Sequence, residues 1–378
     1  MGVAAKHAGI RLAAKPGRRR SASLRRSPRQ SRAAPPAVNL SSDSPLRIGV
    51  LGAAKIARLF AEGVRASRKV VVAAVASRDV DRATAFARDT GVAVVHPTYQ
   101  ALLDDPGIDA IYVPLPNNLH AAWSIRAAAA GKHVLCEKPL AASAAEARAV
   151  FEAARKHGVY VVEAYPYRAQ AQTLKMRELL ASDAIGSLQL IQASFGFPLS
   201  DAANIRMNPS LAGGALMDAG SYPVSLVRTV AGTKPSRVFA MSRWAASGVD
   251  LTTLATLEFP GGLLAQVSCS FATARHRHAF IAGDAGSIET TYFNDTSAAM
   301  PPVVRIKRGT GWDARYELIE TAASNGFLAE AESFHDLVRH GWDRWVGATP
   351  DESIDIALTL DALALSARTG ASADVGTG

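Results

Sequence analysis

The chain reads as an α/β protein whose N-terminal half forms a doubly wound parallel sheet, followed by a second, strand-rich region. Three observations predict this. Short apolar runs alternate with helical stretches from about residue 47 to residue 162, the pattern of strands joined through crossover helices. The first run, Arg47-Ile-Gly-Val-Leu51, ends at Gly52 and opens directly into Ala53-Ala54-Lys55-Ile56-Ala57-Arg58-Leu59-Phe60, a strand-to-helix turn. At 378 residues the chain exceeds the usual single-domain size, so two domains are expected.

In chain order, residues 1–44 read as a basic extension. Residues 1–42 hold ten Lys or Arg and no acid, against totals of 42 basic and 33 acidic residues. The remaining body therefore carries 32 basic and 33 acidic groups, about −1, although the whole chain is +9. The positive charge belongs to the extension, and the body has no footprint for a phosphate backbone, which excludes nucleic acid as the partner of the folded part. The extension is rich in Ala, Arg, Ser and Pro, lacks aromatic residues, and is expected to be disordered. It reads as an unstructured extension of a cytoplasmic protein, with a cleaved organellar transit peptide as the alternative. No apolar h-region follows its arginines, which argues against export, and no later run reaches the ~18 apolar residues of a membrane span.

The body follows as two parts, residues 45–165 and 166–370. In the first, strands are predicted over 47–51, 70–75, 108–113, 134–136 and 159–162, with helices over 79–90, 119–130 and 143–157. Gly52, Ser77, Pro114 and Glu137 all fall at the carboxyl ends of such strands, on the rim where parallel sheets bind ligands. Cys136 and Cys269 sit in apolar runs and read as buried reduced thiols.

The turn after the first strand reads Gly52-x-Ala54-x-x-Ala57 where a dinucleotide fingerprint would be G-x-G-x-x-G/A. Ala57 is acceptable, whereas Ala54 adds a methyl where close approach to a pyrophosphate is wanted. An ordinary strand-to-helix turn stays open on this evidence alone. The tip of the second strand is Ser77-Arg78, with no acid for a ribose diol. A hydroxyl and a guanidinium suit a 2′-phosphate, so NADP is expected and NAD is less favoured. Asp79 is better explained as the cap of the next helix. Glu137-Lys138-Pro139 puts a lysine at a strand tip over the same rim, a candidate proton donor or electrostatic clamp for hydride transfer. No His/Asp/Glu/Cys cluster has metal-ligand spacing. Alternation along Phe271–Phe280 places Arg275, His276, Arg277 and His278 on a solvated strand face.

Several longer segments carry a family likeness: Tyr112-Val-Pro-Leu-Pro-Asn-Asn-Leu-His120, Ala130-Gly-Lys-His-Val-Leu-Cys-Glu-Lys-Pro-Leu140, Gly213-Gly-Ala-Leu-Met-Asp-Ala-Gly-Ser-Tyr-Pro-Val224 and Asp361-Ala-Leu-Ala-Leu-Ser-Ala-Arg368. With these the chain resembles the Gfo/Idh/MocA oxidoreductases from about residue 46 to 370. The likeness is to the branch holding glucose–fructose oxidoreductase, NADP-dependent xylose dehydrogenase and dimeric dihydrodiol dehydrogenase. It implies a C-terminal α+β domain with an open, mostly antiparallel sheet, which often makes a homodimer or homotetramer. It implies hydride transfer between NADP and a sugar or cyclic diol, or an aldose–ketose reaction on tightly held NADP. A non-catalytic NADP-binding regulator is the alternative from another class.

The likeness assigns Lys138 and Tyr222 to the chemistry, with Asp218 close by. Asp218 and Tyr222 are four residues apart in a helical stretch and so share a face. An unperturbed phenol titrates near 10, so a tyrosine base working near neutrality needs a neighbouring cation, and Lys138 is the candidate. The cofactor would rest on Gly52, Ala53, Ala54, Lys55, Ile56, Ser77, Arg78, Pro114, Pro116, Asn117, Glu137 and Lys138. His120 is either a further contact or a helix-start histidine satisfied by backbone. Tyr167 and Arg168 would line the substrate pocket beside Asp218 and Tyr222. One departure stands out: relatives commonly continue Tyr-Arg-x-His-Pro, whereas this chain reads Tyr167-Arg168-Ala169-Gln170-Ala171. That change puts substrate identity in doubt and affects the reaction class much less.

Overall fold

A computed structural model describes residues 44–297 and 299–376, so the expectations for residues 1–42 lie outside the described residues. Valine- and alanine-rich runs, apolar on both faces, build a fully covered parallel sheet. It comprises β1 (Leu46–Leu51), β2 (Val70–Ala76), β3 (Val94–His96), β4 (Ala110–Val113), β5 (His133–Glu137) and β6 (Val161–Ala164). Between them run α1 (Lys55–Val64), α2 (Val80–Thr90), α3 (Tyr99–Leu103), α4 (Asn117–Ala129) and α5 (Ala144–His157). Asp79 caps α2, its side chain accepting the Arg82 N–H at 3.1 Å, as expected for that residue. β3 and α3 were not anticipated. A three-residue edge strand and a five-residue helix are too short to show periodicity.

The strand order is β3-β2-β1-β4-β5-β6, every neighbouring pair parallel. The winding reverses between β1 and β4, which opens a crevice beyond their carboxyl ends. Gly52, Ser77, Pro114 and Glu137 stand on that rim, as the sequence predicts.

The second part begins with α6 (Ala171–Ala181) and β7 (Leu188–Gly196), then a π-helical turn over Leu216–Gly220 that runs into α7 (Ser221–Ala231). There follow β8 (Arg237–Trp244), β9 (Asp250–Glu258), β10 (Leu264–Ser270), β11 (His276–Gly283), β12 (Gly286–Thr290), β13 (Val304–Arg308) and β14 (Tyr316–Ile319). The chain closes with α8 (Gly326–His340), α9 (Pro350–Thr369) and β15 (Ala373–Asp374). The sheet order is β14-β13-β12-β11-β7-β10-β9-β8-β15. β7 and β10 pair parallel; the other pairs are antiparallel. One face packs a core that includes Val224 and Leu226 of α7 and Leu360 and Leu363 of α9. The other face leaves Phe239, Met241, Leu254 and Leu264 exposed.

All the described residues fall in one compact unit, because α8 and α9 tie the two sheets together. Phe327, Ala331, Phe334 and Leu337 of α8 share a core with Leu46, Ile48 and Phe60, and Lys69 pairs with Asp336 at 2.8 Å. Asp361 of α9 accepts the Ala144 N–H that opens α5. Both cysteines are buried free thiols, as expected.

Candidate active site

The crevice begins at Gly52, whose φ of +98° is a conformation that glycine alone adopts without strain. A Cβ there would also lie 3.1 Å from Leu115. Ala54, the residue before α1, offers no side-chain cap. Among the described residues the first N–H groups of α1, from Lys55 and Ile56 onward, therefore have no side-chain partner and face the rim, where a pyrophosphate would meet them and the helix dipole. Ala53 and Ala54 flank this turn, half-buried. At the next strand tip the Ser77 hydroxyl accepts the Asp79 N–H at 3.3 Å, and Arg78 lies exposed beside it. The Tyr99 hydroxyl faces Arg78; burial raises its phenol above the ordinary value and Arg78 partly offsets this. Tyr99 also comes near Gly52, so α3 completes this corner. The set fits an adenine dinucleotide with a 2′-phosphate: a glycine turn, an uncapped helix start and an exposed guanidinium.

Four ionisable groups converge where β5 ends. Lys138 donates to Asp218 Oδ1 at 2.8 Å and to the Asp218 carbonyl at 3.1 Å. Arg206, from the loop after β7, donates its Nε–H to Asp218 Oδ2 at 2.7 Å. Both carboxylate oxygens are thus engaged by cations. Burial alone would raise the Asp218 carboxyl, but Lys138 and Arg206 outweigh it and hold it well below the usual carboxylate range. Burial likewise works against the Lys138 ammonium, but Asp218, with Tyr222 and Glu137 behind it, outweighs burial and holds the lysine charged. Tyr222 shares the face of Asp218, with Lys138 Nζ 4.9 Å from its ring centre. Asp250 fixes the backbone that carries both residues: its Oδ2 accepts the Leu216 N–H at 2.7 Å. Gly214, at φ +113°, makes room for it, since a Cβ there would fall 2.2 Å from Asp250 Oδ1.

Other predicted site residues are turned elsewhere. His120 is buried with one ring nitrogen 2.7 Å from the Pro139 carbonyl and the other 2.7 Å from the Leu115 carbonyl, so its backbone reading holds and it is not free for a cofactor. Burial lowers its pKa. The Glu137 carboxylate accepts the Tyr112 hydroxyl at 2.6 Å inside the protein, and burial pushes its pKa up. Asn117 donates to the Ala212 carbonyl and Asn118 to the Ser210 carbonyl, pinning the 197–215 loop over the start of α4. Pro114 is buried at the β4 tip, and Pro116 precedes α4. Tyr167 bonds Ser225 at 2.9 Å while its ring stays 6.1 Å from that of Tyr222. Arg168 departs furthest from expectation. It is buried in an ion pair with Glu352 of α9 at 2.9 Å, because a side chain at this bend meets α9 instead of the crevice.

Arg277 corrects the sequence reading in the opposite direction. Arg275 and His278 are exposed, but Arg277 is buried, in phase with Ala279 and Ile281 on the inner face. Its guanidinium lies 3.9 Å from the Phe195 ring centre and 4.0 Å from that of Tyr222, where stacking on aromatic faces replaces part of its hydration. The alternation is real and keeps His276 and His278 on the outer face, but it turns Arg277, one residue out of step with them, inward. Arg206 and Asn294, which donates to the Tyr222 hydroxyl at 2.8 Å, had no sequence signal because both lie in loops.

Residues 46–165 match the oxidoreductase family with an NAD-binding Rossmann fold, GFO/IDH/MocA, and residues 173–289 match the GFO/IDH/MocA C-terminal domain. The chain is 37% identical over 338 residues to D-xylose 1-dehydrogenase (NADP(+)) 2 of Haloferax volcanii, covering 87% of this chain and all of that protein. It is 34% identical over 244 residues to trans-1,2-dihydrobenzene-1,2-diol dehydrogenase of Mus musculus, covering 64% of this chain and 73% of that one. Among solved structures, a 3-ketoreductase from Actinomadura kijaniata, in complex with NADP and TDP-benzene, superposes with a TM-score of 0.76 at 30% identity. That alignment covers 85% of this chain and 98% of the reductase.

Proposed function

The chain belongs to the GFO/IDH/MocA oxidoreductase family, and on that premise we propose that Lys138, Tyr222 and Asp218 carry its chemistry. The protein is an NADP-dependent oxidoreductase acting between a carbinol and a carbonyl carbon of a sugar or cyclic diol. Bound NADP supplies the hydride acceptor, and NADPH the donor. The residues of the chain handle the proton and the charge. In oxidation the substrate O–H bond breaks and its proton passes to the Tyr222 oxygen; in reduction Tyr222 returns it. Lys138 cannot serve as the base while Asp218 holds it protonated, so it stabilises the negative oxygen as a donor. Asp218, with both oxygens engaged, orients Lys138 and takes no proton itself. The observation that carries this reading is the convergence of Lys138, Asp218 and Tyr222 at the end of β5, on the cofactor rim. It also disfavours a non-catalytic regulator, which has no use for a charged lysine held against a tyrosine.

Turnover is best followed by NADPH absorbance across aldoses, trans-diols and dicarbonyls. Tyr222→Phe keeps the ring and its packing, so NADP affinity should persist while the rate falls ~10²–10⁴-fold. Turnover at the parental rate would instead route the proton through Lys138 or water.

The exposed face of the nine-stranded sheet supports assembly with a second copy of the chain. Phe239, Met241 and Leu254 stand 42%, 67% and 59% exposed on neighbouring strands, a contiguous apolar patch of the kind that marks an interface. A homodimer or homotetramer through this face is the reading that sedimentation would test, with Met241→Glu expected to give monomers.

A further inference from the structure

We propose that Asn294 and Arg277 are positioning residues for proton transfer: they fix the Tyr222 hydroxyl as an acceptor on its protein side, so that its proton is aimed into the crevice. The inference rests on the reading of Tyr222 as the proton-transfer group.

The direction of each hydrogen bond follows from elementary donor counting. Arg277 Nη1 donates to Asn294 Oδ1 at 3.0 Å and to the Tyr292 carbonyl at 3.1 Å. A guanidinium has donors and no acceptor, so the carbonyl end of the Asn294 amide must face it. The NH₂ end then faces Tyr222, 2.8 Å from its oxygen. An amide NH₂ also only donates, so the phenol oxygen must accept. Its single proton is left to point elsewhere. Lys138, 4.9 Å from the ring centre, offers no acceptor, and among the described residues none accepts a hydrogen bond from the Tyr222 hydroxyl, whose partner is the Asn294 amide. A substrate oxygen in the crevice is the partner that remains.

Charge adds to direction. Among the described residues no carboxylate pairs with Arg277, although it is buried. A buried unpaired cation is costly, and here it stacks on the ring whose oxygen changes charge during the reaction. The groups facing Tyr222 come from every surrounding element. They are Lys138 after β5, Arg206 and Phe195 from β7 and its following loop, Tyr165 and Tyr167 after β6, Arg277 of β11, Asn294 after β12, and Asp218 on its own helical stretch. Tyr112 of β4 also interacts with it electrostatically. Lys138, Arg206 and Arg277 thus surround the ring with Asp218 and, behind them, Glu137, so negative charge developing on the tyrosine oxygen during proton transfer meets cations.

The loop bearing Asn294 is itself held by Gln170, the residue standing where relatives commonly carry histidine. Gln170 Nε2 donates to the Asn294 carbonyl at 2.8 Å and to the Ser324 carbonyl at 2.9 Å. The departure noted in the sequence therefore supports the amide that orients Tyr222.

The test is the pH profile of kcat for alcohol oxidation, with NADP affinity measured alongside. Asn294→Ala and Arg277→Gln should move the acid limb to higher pH by about one unit or more, roughly a tenfold loss near neutrality, and recover on the alkaline plateau. Asn294→Asp, nearly the same shape but with an acceptor where the donor was, should move it further. Arg277→Lys, which keeps the charge, should move it least. In a Tyr222→Phe background, Asn294→Ala should add less than about twofold. A uniform loss at every pH, or loss of NADP binding in Asn294→Asp, would mean a packing role and overturn the proposal. If Tyr222→Phe alone retained the parental rate and acid limb, the reading of Tyr222 would fail instead.

Discussion

Replacing Asp218 by Asn removes one negative charge from between two cations. In the parent, Lys138 Nζ and Arg206 Nε approach the two carboxylate oxygens at 2.8 and 2.7 Å. At an effective dielectric of about 20, each contact corresponds to about 6 kcal/mol of attraction before desolvation is counted. Desolvating three charges consumes most of that, and breaking such a buried arrangement leaves a net loss of about 3–5 kcal/mol. An asparagine offers its oxygen to one cation and a second donor to the other, so one side must break. Denaturant unfolding should read this loss, while NADP affinity persists because the cradle at Gly52 and Arg78 is untouched. There is a kinetic signature too. With Asp218 gone, burial is no longer outweighed at Lys138, whose proton then leaves at lower pH than in the parent. Turnover of Asp218→Asn should therefore decline at alkaline pH where the parent holds steady. Unfolding within about 1 kcal/mol of the parent, together with an unchanged alkaline limb, would refute the clamp.

Three further outcomes are expected. Arg78→Ala should weaken NADP roughly 10- to 150-fold by removing a charge-assisted contact of about 1.5–3 kcal/mol, leaving NAD unaffected in a fluorescence titration; equal losses for both cofactors would place Arg78 away from the 2′-phosphate. Glu330 on α8 is buried, and burial followed by the proximity of Glu137 raises its carboxyl well above 4.5. A carboxyl raised in the fold ionises more readily on unfolding, so stability falls as pH climbs above about 4.5; Glu330→Gln should gain in Tm over the parent as pH rises past that point. Glu352 runs the other way: burial would raise it, but Arg168, the Thr349 N–H and Arg228 together outweigh burial and lower it from 4.5 to about 2. Its contribution is present above pH 4.5 and lost as pH falls toward 2, so Glu352→Gln should flatten that acid loss and cost about 3–5 kcal/mol near neutrality by leaving Arg168 unpaired.

What the sequence determined by itself was local and periodic. Runs apolar on both faces, spaced by helical stretches, specify a parallel sheet, and a parallel sheet places its strand ends on one rim. That brings Gly52, Ser77, Pro114 and Glu137 together from the strand pattern alone. The residue types at those ends, Arg78 and Lys138 above all, point to NADP and to hydride transfer as expectations. Tertiary structure decided which side chains the rim uses. Glu137 and His120 belong to strand and helix ends as predicted, yet their polar atoms are taken by Tyr112 and by backbone carbonyls. Arg168 was drawn away by Glu352, 184 residues distant in sequence. Arg277 turned inward because a strand pattern gives alternation without saying which phase faces the core. Arg206 and Asn294 come from loops that periodicity does not describe, and they reach Asp218 and Tyr222 across 12 and 72 residues of chain. Patterns along the chain report which backbone elements form; the partner of a given charge is set by what folds up against it, and that is a property of the packed whole.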